Sequence, residues 1–320
     1  MLTQRHQCSA GSAAPVRFMR PGHAANLAQT LIDSELNLAA VRSLITDLIA
    51  PQPLASLSAR PTAATAAAVH LNGPGQQMRA KLALHAARMF AMTDADAVAL
   101  AASAELLHNA SLVHDDIQDR TPARRGQDAI WCTFGIDIAL CAGDLMLSGA
   151  YAALAGVSDA SKIAALLRLV HDRTGTAIRG QCADLSASEP ATMSITEYSA
   201  IAAAKSGALL SLPLELVFVV AGDQAAAADG RRAAEQFAIG YQIADDIADL
   251  TTDLAAARPA LNIVQVLGGG PSALSQARAL GLAHLRCAAV MAEGLPRGSG
   301  ALLHGLVLQL SAKLAIAVVS

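Results

Sequence analysis

With 320 residues, 53% of them hydrophobic and 15% charged, the chain can bury a large core, and an apolar share rich in Ala and Leu with 3% aromatics favours closely packed helices. A net charge of −3 without any basic run argues against nucleic acid as the partner, because binding a phosphate backbone needs clustered Lys and Arg. Cys8, Cys132, Cys141, Cys182 and Cys287 show neither a C-x-x-C pair nor disulfide-like spacing, and read as reduced, mostly buried residues of a cytoplasmic protein.

Residues 1–25 read as a disordered or leader-like extension, with Arg5, Arg17 and Arg20 but no acid before Asp33, and residues 26–320 as a single domain. From Asn26 to Ala50 apolar residues recur at helical steps (Leu27, Leu31, Leu38, Val41, Ile45, Leu48), predicting an amphipathic helix that ends before Pro51. Pro51 to Pro61 is a linker, an Ala-rich helix follows, and Asn72-Gly73-Pro74-Gly75 breaks it. Helices are then predicted over Met78–Met92, Thr93–Asp119 with Thr93 or Asp94 as cap, Asp137–Val157, Ser161–Gly180, Thr196–Gly222, Asp229–Leu250 and Pro271–Gly294, which closes the series. No period-2 run of useful length occurs, so an α/β fold is not expected. Helices this apolar on several faces require a central layer wrapped by others, an all-α bundle with a cavity between its members. Leu209–Ala221 is short for a membrane span and contains Pro213 and Glu215, so it reads as a core helix, and the chain as no integral membrane protein.

Two acidic runs stand out inside apolar sequence. Asp115, Asp116 and Asp119 are spaced i, i+1, i+4, and Asp245, Asp246 and Asp249 repeat the pattern 130 residues later. On a helix the i and i+4 acids share a face and repel, and buried like charges need a neutraliser. Hard divalent cations with oxygen ligands, Mg2+ above all, fill that role where phosphates are also held. Five residues after the first run come Arg124, Arg125 and Gly126, two permanent cations whose forks suit phosphate oxygens.

In chain order, the segments His108-Asn109-Ala110-Ser111-Leu112-Val113-His114-Asp115-Asp116-Ile117-Gln118-Asp119, Arg124-Arg125-Gly126, Ala142-Gly143-Asp144, Gly180-Gln181 with Asp184, Lys205-Ser206-Gly207 and Tyr241-Gln242-Ile243-Ala244-Asp245-Asp246 resemble the trans-isoprenyl diphosphate synthases, the polyprenyl synthetase family. The resemblance covers about residues 70 to 250 and implies a large helical bundle of the isoprenoid synthase type around a deep central cavity. It further implies that Asp115, Asp119 and Asp245 ligate Mg2+ directly, with Asp116 and Asp249 in support. By the same resemblance, Arg124 and Lys205 contact an allylic diphosphate, Ser206 and Gln242 are their polar neighbours, and Arg79, His108 and Arg125 hold isopentenyl diphosphate. Members of the family are usually homodimers, and the apolar Asp137–Val157 helix is a candidate interface, core burial being equally consistent with its sequence.

The departures are uneven. The family's lysine for isopentenyl diphosphate is replaced by neutral Gln76, which removes a charge-assisted bond and about tenfold or more in affinity. No lysine occurs from Thr251 to Leu267, where the family has a glycine-lysine loop, and Arg258 is the only cation there. Three readings remain: a prenyltransferase that condenses an allylic diphosphate with isopentenyl diphosphate; a terpene-synthase-like enzyme that ionises and then cyclises or quenches the allylic diphosphate; and a non-catalytic regulatory subunit. Small Ala110 and Ser111, five and four residues before Asp115, predict a deep tunnel and a product of geranylgeranyl length or longer, unless Leu107 forms the floor.

Overall fold

Alanines with no exposed surface, among them Ala66, Ala83, Ala102, Ala139 and Ala233, sit where helices cross, and their small side chains let the axes approach closely. The computed structural model describes residues 22–50, 62–187, 192–250 and 261–316; of residues 22–34 and 36 the backbone alone is described. The chain divides into a short unit, residues 1–36, whose described part is helical, and a main unit of residues 37–320.

The elements in order are α1 (Gly22–Ile49), α2 (Ala63–Leu71), α3 (Met78–Met89), α4 (Asp94–Gln118), a hairpin of β1 (Ala123–Arg124) and β2 (Gln127–Asp128), α5 (Ile130–Phe134), α6 (Ile136–Ala153), α7 (Ala160–Ser186), α8 (Ile195–Ala202), α9 (Ala208–Ala221), α10 (Gln224–Ala248), α11 (Ile263–Val266), α12 (Gly270–Glu293) and α13 (Ala301–Ile316). Helix α4 packs on α3, α6 and α9, and α10 on α9 and α12, so that the two acid-bearing helices both border α9. Helix α9 is the innermost: Leu212, Leu214, Leu216, Val217 and Phe218 have no exposed surface. Side-chain caps set several helix starts, Thr62 for α2, Thr93 for α4, Asp223 for α10, and a capping box of Ser194 with Glu197 for α8.

The all-α expectation holds, with four differences in detail. The helix expected over Thr196–Gly222 is interrupted by a π turn, Ala203–Gly207, between α8 and α9. Its i→i+5 bonding cannot be read from apolar spacing, because a single wide turn barely shifts the hydrophobic face. A last helix, α13, follows Gly294, where the series was expected to close; its Leu303, Val307 and Leu314 face the core. The hairpin turns through Arg125 (φ 53°) and Gly126 (φ 78°), the positive-φ pair of a tight two-residue turn, and its two-residue strands are too short to show alternation. Finally, the four described cysteines, Cys132, Cys141, Cys182 and Cys287, are exposed rather than buried, since each lies on the solvent side of its amphipathic helix.

Two helical stretches, Ile136–Gly156 and Ile195–Ala221, are long and apolar enough to cross a membrane by length and composition alone. The second carries Glu215, which is buried and bonded to Ser211 and to Arg173 of α7, the packing of an inner helix.

Candidate active site

Both acidic runs fall on the last turn of a long helix. Asp119 is the C-cap of α4 and Asp249 the C-cap of α10, each donating its backbone N–H to the carbonyl of the acid four residues earlier. Helix C-termini carry the negative end of the macrodipole, so carboxylates gathered there are doubly unfavourable unless a cation joins them.

The middle acid of each run turns inward. Asp116, 2% exposed, accepts Arg124 Nε at 2.9 and 3.1 Å and Nη2 at 2.6 Å. The hairpin makes this possible by folding the chain back over the end of α4 within eight residues. Asp246, 4% exposed, instead accepts three neutral donors: the Tyr198 hydroxyl, Gln242 Nε2 and the Ile263 backbone N–H, each at 2.8 Å. Asn262 donates to the Asp246 carbonyl and so ties α11 to the same corner.

Of the remaining acids, Asp115, Asp119 and Asp245 open onto a cavity of about 1140 Å3. Asp115, Asp116, Asp119 and Asp245 line it together with Arg79, His108, Arg124, Arg125, Lys205, Ser206 and Gln242, so eleven of the twelve residues expected from sequence meet in one space; Asp249 is not among its lining residues. Arg258 lies outside the described residues. Ser111 and Leu112 line the cavity, whereas Ala110 and Leu107 are buried in the core.

Lys205 sits on the π turn and donates Nζ to Asp184 Oδ2 at 2.5 Å. A Cβ on Gly180 would stand 2.3 Å from the Lys205 backbone nitrogen, so only glycine lets α7 press against that turn and set the lysine in place. Gly143 does the same for α6, since a Cβ there would meet the His114 ring.

Burial pushes the Asp115 carboxyl up to about 6, with Lys205 pulling against it and Asp119 adding to it. Burial also raises Asp119. Burial works against the Lys205 charge, yet its contact with Asp184 and the fields of Asp115 and Asp119 leave its pKa above the usual lysine value. These hard oxygen donors, gathered at two helix C-termini, fit Mg2+ held jointly with phosphate oxygens. Among the described residues no three acids, imidazoles or thiols converge as a ready-made metal cage.

A second, cationic region adjoins the acids. Burial brings Arg79 down to about 10, and its Nε is buried without a partner; burial and then the charges of Arg79 and Arg125 hold His108 well below the usual imidazole range. Positive charge kept short of partners in this way fits an anion. Three residues were not singled out from sequence. Glu105 is buried and accepts from the Ala80 N–H at the start of α3 and from Asn109, and a lone acid inside an apolar helical run was the available signal. His70 lines the cavity with its pKa lowered by burial. Tyr198 is 1% exposed, and nothing local in the sequence pairs it with Asp246.

The polyprenyl synthetase family model matches residues 61–258, more than half of the chain. The (2E,6E)-farnesyl diphosphate synthase of Mycobacterium tuberculosis (strain ATCC 25618 / H37Rv) is 34% identical over 181 residues, which cover 55% of this chain and 49% of that protein. The geranylgeranyl diphosphate synthase of the same strain is 27% identical over 218 residues, covering 64% and 62%. The chain thus spans about half the length of the first of these curated relatives. Among solved structures, geranylgeranyl pyrophosphate synthetase from Pyrococcus horikoshii Ot3 aligns with a TM-score of 0.76 at 20% identity, over 89% of this chain and 99% of that one. A decaprenyl diphosphate synthase from Rhodobacter capsulatus aligns with a TM-score of 0.75 at 18% identity, over 91% and 99%. At these identities the structural likeness speaks for the fold.

Proposed function

The chain belongs to the polyprenyl synthetase family, and on that premise we propose that it is a Mg2+-dependent trans-prenyltransferase condensing an allylic diphosphate with isopentenyl diphosphate. The observation that carries this reading is that the ends of α4 and α10, remote in sequence, present Asp115, Asp119 and Asp245 to one cavity that also holds Lys205, Arg124, Arg79 and His108. Mg2+ bound by Asp115, Asp119 and Asp245 would neutralise the diphosphate oxygens as they take up the leaving electron pair.

The chain's own cations share that task. Arg124, with Nε and Nη2 fixed on Asp116, keeps Nη1 for a diphosphate oxygen, and its orientation is set before substrate arrives. Lys205 has two N–H donors beyond the one on Asp184. Breaking the allylic C–O bond leaves a carbocation, and Leu112, Leu209, Leu210 and Phe237 in the cavity wall keep water from it. Arg79, His108 and Arg125 would place the second diphosphate so that its double bond faces that cation, with a proton lost after the new C–C bond forms. Small Ser111 in the wall supports a product of geranylgeranyl length or longer. Exposed Ile136 and Leu140 on α6 support a homodimer through that helix, and a cytoplasmic location fits both substrates.

The neutral Gln76 favours the terpene-synthase-like reading as the runner-up. Purified protein with Mg2+, geranyl or farnesyl diphosphate and labelled isopentenyl diphosphate separates them. Labelled, lengthened diphosphates are the expected result; unlabelled hydrocarbon or alcohol would replace the proposal with the second reading, and no consumption with a non-catalytic role.

A further inference from the structure

The loop that precedes α3 runs Asn72-Gly73-Pro74-Gly75-Gln76-Gln77, and neither Gln76 nor Gln77 carries charge. Cations reach it from elsewhere in the chain. Arg79 follows in the first turn of α3, and Arg125 directs Nη1 at the Pro74 carbonyl across a long 3.5 Å. Arg42, on α1 and thirty-five residues upstream, donates Nη1 to Gln77 Oε1 at 2.9 Å. Gln77 holds a left-handed backbone (φ 50°), and both it and Arg42 line the large cavity together with Gln76.

Arg42 has no carboxylate partner among the described residues, and an amide oxygen leaves its charge uncompensated. One of its five N–H groups is spent on Gln77; the rest of the planar fork remains for an anion. We propose that Arg42 supplies the cation for the second diphosphate that Gln76 withholds, with Gln77 as the arm that holds its guanidinium beside the loop. The assignment rests on the condensing activity proposed above and names a residue from a helix that carries none of the other site residues.

The test uses the full chain and steady-state kinetics with Mg2+, farnesyl diphosphate and labelled isopentenyl diphosphate. Arg42→Gln is expected to raise KM for isopentenyl diphosphate about tenfold while KM for the allylic substrate stays within about twofold, the effect of one charge-assisted contact. Gln76→Lys added to that variant should return KM to within about threefold of the wild type. Arg42 is exposed, so the variant's thermal melt should match the parent. An unchanged KM for isopentenyl diphosphate, or equal shifts for both substrates, overturns the assignment while leaving the condensing activity standing. A wild type that consumes farnesyl diphosphate without taking up label overturns both.

Discussion

The ends of α4 and α10 carry the same acidic spacing but bury their middle acid differently. Asp116 is matched by the charge of Arg124, whereas the partners of Asp246 among the described residues include three neutral donors, from α8, α10 and the start of α11. The first end is therefore an anchor for a cation that itself faces the cavity, and the second is a knot that holds three segments together. One motif serves as ligand positioning in one place and as tertiary structure in the other, while Asp115 and Asp119 of the first run and Asp245 of the second face the same space.

The largest expected effect comes from the outer acids that the two ends share. Asp115→Ala or Asp245→Ala should each lower kcat roughly a thousandfold, and EDTA should abolish turnover, because the leaving diphosphate then lacks its main charge neutralisation. A rate within tenfold of wild type in either variant would show that the two ends do not act on one substrate.

The inner acids come next, and they separate charge from neutral bonding. Asp246→Ala strands the Tyr198 hydroxyl and the Ile263 N–H and should cost about 3 kcal/mol in urea unfolding. Asp116→Ala leaves Arg124, whose side chain is 32% exposed, able to turn to water, and should cost about 2 kcal/mol after that discount. With asparagine the order should invert. Asp246→Asn keeps an acceptor oxygen and should cost about 1 kcal/mol, while Asp116→Asn loses the charge and stays near 2 kcal/mol. If the order fails to invert, the contrast between the two ends is wrong.

Asp115 tests the strain in the cavity. Its folded pKa lies near 6, above the roughly 3.9 of an unfolded aspartate, so between these values the folded chain binds more protons and loses stability as pH rises. Metal-free Asp115→Asn should thus be more stable than wild type by about 1 to 2 kcal/mol at pH 7 and above, with the gain vanishing below about pH 4. Thermal melts across that range check the sign. The smallest change concerns length rather than rate: Ser111→Phe should narrow the cavity wall and shift products to shorter chains, visible by chromatography of the hydrolysed alcohols.

The all-α class, the break at Asn72–Gly75, the capping Thr93 and the eleven candidate residues that the fold brings to one cavity could be picked out without coordinates, because helical periodicity and acid spacing are local properties that one turn of chain displays. Asp249 has the motif spacing but lies beyond the cavity wall, at the very end of α10. Tertiary structure alone decided which acid of each run turns inward, since Asp116 and Asp246 are indistinguishable from their neighbours until Arg124 is folded back and Tyr198 arrives from α8. It also decided that Lys205 stands on a π turn wedged by Gly180, and that Arg42 reaches the loop whose lysine is missing. Those features arise from pairs of residues far apart in the chain, and the energy that selects them exists only once the helices have packed.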